Sequence, residues 1–255
     1  MSLVEMARAV HIVAGSIALT VMWVPMLAAK GGRLHRRAGL VFVGAMAVVS
    51  SSGVGLSVYR LLTETRPGVR LASAFLLYVS ILTGAGALKG VRVLRTKRRT
   101  GPNRNPVDLA AAGLVLVSGA AMGLAGLWFG QPLLLTFSLI GIAGGVTDLK
   151  YWLRSPDTRM HWWFEHMADM LGTGIAALTA FAVVNSPRLG LPSFSLLVWL
   201  GPSLVGVPAI VVWSRHYRRR FAGRAGPAAP VSAAARTGGV TRVGETSRTR
   251  PVGSS

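Results

Sequence analysis

Cysteine is absent from the 255 residues, so the chain has no disulfide framework, no thiol nucleophile and no thiolate metal ligand. Acidic side chains are scarce, with 8 Asp and Glu against 28 Lys and Arg, and charged residues make up 14% of the chain. Soluble domains carry about 25% charged residues, so this chain is not built for water as its main solvent. No nucleic-acid recognition fold or aromatic and basic platform is present either, so the formal charge of +20 does not point to nucleic acid.

What is abundant is apolar: 51% of residues are hydrophobic, and the mean hydropathy is +0.51. Long apolar runs recur as far as about residue 213, each near the roughly 20 residues a helix needs to cross about 30 Å of hydrocarbon. They predict an all-α membrane bundle of seven spans, at about 8–29, 38–59, 71–94, 107–128, 132–153, 161–184 and 194–213. The first run is too long for a removable signal peptide and leads into a basic loop without a clear small-x-small site, so it reads as a retained span.

Loops rich in Lys and Arg stay on the cytoplasmic side of a membrane. The segment 30-KGGRLHRR-37 follows span 1, and Lys89, Arg92, Arg95, Lys97, Arg98, Arg99 and Arg104 cluster at and after the end of span 3. Both predict cytosolic loops, an outside N-terminus and an inside C-terminus. The loop after span 2 is a mild exception, with Arg60, Arg66 and Arg70 against Glu64. The expected domains are 1–214, the spans, and 215–255, a disordered basic tail with few large apolar residues. Basic residues so placed attract anionic lipid head groups, and the whole pattern suits a bacterial inner membrane.

Polar residues inside the spans are few and patterned. Within 159-RMHWWFEHMADM-170, His161, Glu165 and Asp169 share one helical stripe, and His166 lies about 60° to the side of Asp169. The opposite sector of span 6, including Trp163, Phe164, Leu171 and Phe181, reads as lipid-facing. His11 shares an inward stripe with Gly15 and Ala18 in span 1, while Asp148 shares one with Gly141 and Gly144 in span 5. Gly141-x-x-x-Gly145 and Gly119-x-x-x-Gly123 permit close helix packing. Hairpin geometry sets Asp148 and His166 at one depth. His161 and Glu165, beside Trp162 and Trp163, read as interface anchors. Asp169 lies deep in the hydrocarbon, where an unpaired charge costs at least ~2.5–3.5 kcal/mol.

The stretches 11-HIVAGSIAL-19, 31-GGRLHRRAGLVFVGAM-46 and 161-HWWFEHMADMLGTGIAALTAFAVVN-185 resemble a family of bacterial multi-span membrane proteins of unknown function. The shared features are a His-x-x-x-Gly first span, a Gly-x-x-His-Arg loop and a late span ending Thr-Ala-Phe-x-Val-x-Asn. The resemblance draws attention to His11, Gly15, Arg33, His35, Arg36, His166 and Asn185 without naming a reaction.

Two chemistries lead. The first is a metal or proton site near the cytoplasmic side built from His166, Asp169, Asp148, His161, Glu165 and His35, with a divalent metal as a candidate cofactor and His11 a second inward position. His161 and His166 sit about 140° apart on a helix, so one ion does not bridge them without a ligand from another segment. The second is a b-type haem or quinone-linked redox protein, for which His35 and His166 are the available axial pair. A zinc hydrolase using 50-SSSGVG-55 lacks a histidine in span 2, and a transporter has only a faint internal repeat in its favour.

Overall fold

The computed structural model describes residues 2–192 and 195–224. Its regular elements are α1 (Leu3–Val21), α2 (Trp23–Leu27), α3 (Arg33–Thr63), α4 (Pro67–Arg92), α5 (Pro106–Phe129), α6 (Pro132–Leu153), α7 (His161–Asn185) and α8 (Leu196–Arg224). Short 3-10 turns follow α4 and α7, at Val93–Arg95 and Ser186–Leu189. No strand occurs among the described residues. Seven segments are long and apolar enough to cross a membrane, with α1 and α2 together forming the first. The protein is thus a helical, multi-pass membrane bundle, as its apolar runs predict.

Local chemistry fixes the helix ends. Ser2 and Glu5 form a reciprocal capping box at α1, while Pro67, Pro106 and Pro132 occupy first-turn positions where a missing N–H costs nothing. The Asn105 side chain accepts from the Val107 amide at 3.0 Å to cap α5. Gly130 ends α5 with φ of +61°, a left-handed conformation that a side chain disfavours. Between α1 and α2 the helix breaks after Val21, four residues before Pro25, whose ring collides with the carbonyl at that spacing.

Several helices begin or end a few residues beyond the expected spans, and two of these differences matter for the residues singled out above. Helix α3 begins at Arg33, so His35 and Arg36 stand in its first turns and not in a loop. Hydropathy marks where a run becomes apolar, but Arg, Leu and Ala extend a helix beyond that point as well as any residue. Helix α8 likewise continues to Arg224, past the expected start of the tail at 215. The remaining tail, 225–255, lies outside the described residues. The chain divides into units Met1–Arg215 and His216–Ser255, and the described part of the second is the end of α8.

Glycine lets α5 and α6 touch along their length. A Cβ at Gly119 would lie 3.0 Å from the Ile142 amide, one at Gly145 would lie 2.7 Å from the Leu116 amide, and one at Gly141 would strike the Tyr78 hydroxyl. Tyr78 donates to the Phe137 carbonyl at 2.6 Å, which ties α4 to this hairpin beside a cluster of Phe75, Phe137 and Trp199. Helix α4 is the central element, packed against α3, α5 and α7. On α5, Leu114, Val117, Leu124 and Trp128 are exposed, an apolar face suited to lipid. Outside the spans, Glu64 accepts from Arg66 through both oxygens, and that pairing holds the Glu64 carboxyl down to about 2.

Candidate functional site

Lys89 lies in the last turn of α4, and its ammonium is surrounded by carboxylates from two other helices. Its Nζ stands 2.6 Å from Asp148 Oδ1 on α6, 2.6 Å from Glu165 Oε2 on α7 and 3.4 Å from Asp169 Oδ1, one turn further along α7. An ammonium has three N–H donors and these are the three acceptors that meet it. The Lys89 side chain is only 8% exposed, so the contacts are made away from bulk water.

The balance of this cluster is uneven. One positive charge faces three acidic groups, and the second oxygen of Asp169, Oδ2, is buried without a hydrogen-bond partner. The Asp169 backbone carbonyl is occupied by the Thr173 hydroxyl at 2.8 Å, so the polarity of this turn is otherwise satisfied. A small recess between α4, α5 and α6 reaches Lys89 and Asp148 and is bounded by Asp108 and Trp152.

The loop after α4 folds over the same end of the bundle. Arg99 donates to the carbonyls of Tyr151 at 2.6 Å and Arg154 at 2.9 Å, covering the C-terminal end of α6 where a cation is favoured. Its guanidinium also lies 4.4 Å from the centre of the Tyr151 ring, and Lys89 Nζ lies 5.4 Å from that centre. Arg92 pairs with buried Asp108 at the start of α5, and Asn103 donates to the same carboxylate at 2.8 Å.

Four of the five histidines fall into three places, and the fifth, His216, lies near the end of α8. His166 Nδ1 stands 2.7 Å from the Gly90 carbonyl on α4, and His35 Nδ1 stands 3.0 Å from the Pro25 carbonyl on α2, with 6.4 Å between the two ring centres. His161 Nδ1 meets the Tyr151 hydroxyl at 2.9 Å. His11 Nδ1 meets Ser52 Oγ at 2.9 Å, joining α1 to α3, which agrees with the inward orientation read from its stripe.

Several expectations change. Asp148, read as level with His166, binds Lys89 on α4, while His166 meets the Gly90 carbonyl one residue further along the same helix. Glu165 is no simple interface anchor but an ion-pair partner, and His161 is buried, with Nε2 lacking a hydrogen bond. Phe164 is buried too, since α7 is enclosed by neighbours on more than one side, including α1, α4 and Gly206 of α8 against Ile175. Lys89, taken as a loop determinant of topology, is the residue that sequence reasoning missed as a site member. The signal was available: three acids in spans demanded a cation, and Lys89 stands inside the apolar run of 71–94 between Leu88 and Gly90.

No three His, Asp or Glu groups among the described residues come together in an arrangement suited to a metal ion. Where the carboxylates converge, the Lys89 ammonium fills the cation's position. Comparison with protein-family models, with curated proteins and with solved structures returns no match for this chain.

Proposed function

We propose that this is a proton-handling membrane protein, in which the Asp169 carboxyl takes up and releases a proton beside the Lys89 ammonium. The supporting observation is the uneven cluster: one ammonium, three carboxyl groups, and Asp169 Oδ2 buried without a partner. Three ionised carboxylates around one lysine would leave two uncompensated negative charges in a medium that solvates them poorly. Neutralisation by a proton is the inexpensive alternative for such a group. Asp169 makes the longest of the three contacts to Lys89, so it loses least of that contact on protonation. Its free Oδ2 is the atom on which the proton resides.

The same reading sets the N-terminus outside and the C-terminus inside a bacterial inner membrane, with the basic loops against anionic lipid head groups. The Lys89 cluster then belongs to the cytoplasmic half, and the recess beside Lys89 and Asp148 is its approach for water. A resident divalent metal at the carboxylates is the weaker reading, because the ammonium competes for the same oxygens.

The test is proton uptake by detergent-purified protein after a rapid drop in pH, followed with an indicator dye. Wild-type protein is expected to take up about one proton per chain more than Asp169→Asn, as loss of one titrating carboxyl requires. Equal uptake by the two proteins, with both folded, would refute the proposal.

A further inference from the structure

The pair His35 and His166 is separate from the carboxylates that bind Lys89, and its chemistry is set by the backbone. Each Nδ1 faces a carbonyl oxygen, Pro25 for His35 and Gly90 for His166. A carbonyl oxygen only accepts, so each Nδ1 must carry the hydrogen. In the neutral ring the lone pair is then on Nε2. Neither Nε2 has a hydrogen-bond partner among the described residues. Two imidazoles from different helices are therefore fixed in the tautomer that presents an unshared lone pair, and the residue that fixes each one is a backbone carbonyl. Metal-binding histidines are held in the same way, with the other ring nitrogen donating to a carbonyl or carboxylate.

The spacing fits this chemistry. A metal-to-imidazole bond is about 2.0–2.1 Å, and the ring centre lies about 1.1 Å beyond the nitrogen, so one ion between two opposed rings separates their centres by about 6.2–6.4 Å. The observed separation is 6.4 Å, with the ring planes at 69°. Rotation about the nitrogen–metal–nitrogen axis is free to adopt such an angle. Glycine at position 90 is part of the device. A Cβ there would lie 3.1 Å from Asp169 Cβ and would strike the mobile end of Met170, so glycine lets α7 lie a few tenths of an ångström closer to the Gly90 carbonyl that His166 reaches.

We propose that His35 and His166 form a two-imidazole metal centre, with one transition-metal ion held between the two Nε2 atoms. With no third His, Asp or Glu gathered there among the described residues, the ion must accept two protein ligands along one axis. Two sources share that chemistry: a bare copper(I) ion, which suits soft and imidazole donors, and the iron of a haem, whose remaining ligands come from the porphyrin. The proposal stands on the histidine geometry and is independent of the proton held at Asp169.

The test uses the full-length protein in detergent, as wild type and as His35→Gln, His166→Gln and His11→Gln. One arm titrates copper(I) against a competing chelator, and the other records the visible spectrum after expression with a haem supply. In one arm or the other, wild type and His11→Gln are expected to bind one equivalent, and either His35→Gln or His166→Gln to lose at least tenfold in affinity or the whole Soret band. X-ray absorption on the loaded wild type gives a reading that does not depend on variants folding, and a pair of axial imidazole nitrogens is expected. Failure to bind in both arms overturns the proposal. So does binding that survives both substitutions, or a loaded metal with no imidazole neighbours. None of these outcomes bears on proton uptake at Asp169, which is read in a metal-free sample.

Discussion

Lys89 shows how one residue can serve two physical purposes. By composition it belongs with the basic residues that mark a cytosolic loop, yet its side chain turns into the bundle and meets Asp148, Glu165 and Asp169. Removing one partner of a buried ion pair is costlier than removing the pair, because the other charge remains in the apolar medium. Lys89→Met should therefore destabilise the protein by about 3–5 kcal/mol, seen as a lower denaturation midpoint in detergent. Adding Asp169→Asn to Lys89→Met should restore part of the loss, since it removes one of the stranded carboxylates. A double variant less stable than Lys89→Met would contradict the ion-pair account. The acids of this cluster were legible as inward-facing from their helical stripe. Their partner was legible only from the acids' need for a cation, and was overlooked because charge rules assign a lysine near a span end to the loop; the reach of Lys89 to α6 and α7 shows otherwise.

At the level of elements, glycines decide which helices come close enough to build the site. Gly141 and Gly145 on α6, and Gly119 on α5, were readable as packing positions from their four-residue spacing, and the contacts bear this out. Spacing alone does not separate Gly144 from Gly145. The contacts do: a Cβ at Gly145 would sit 2.7 Å from the Leu116 amide, whereas nothing lies within 4 Å of one at Gly144. Gly145→Ala should cost about 1–3 kcal/mol through overpacking against backbone. Gly144→Ala should be nearly neutral, and thermal denaturation of the two variants side by side checks the contrast. Gly90 was not legible at all, since its partners Asp169 and Met170 lie on another helix. The early start of α3 was missed for a related reason, because basic residues that lengthen a helix are invisible to an apolar window.

Over the whole molecule, the distribution of charge links topology to function. Basic residues concentrate at the ends of spans, while among the described residues the buried ion pairs join Arg92 to Asp108 and Lys89 to three acids. The lack of native cysteine makes the orientation accessible to experiment. Gln131→Cys should react with a membrane-impermeant maleimide added to intact cells, and Arg98→Cys only after the membrane is opened. The reverse pattern would invert the bundle and place the Lys89 cluster at the outer side. The pairing leaves an excess of negative charge around Lys89, which the proposed proton on Asp169 would neutralise. Infrared difference spectra of purified protein between acidic and alkaline pH report that proton directly, through the carbonyl stretch of a protonated carboxyl group. The account predicts such a band in the wild type and its loss in Asp169→Asn. A band that persists unchanged in Asp169→Asn, or is absent from the wild type, would contradict it.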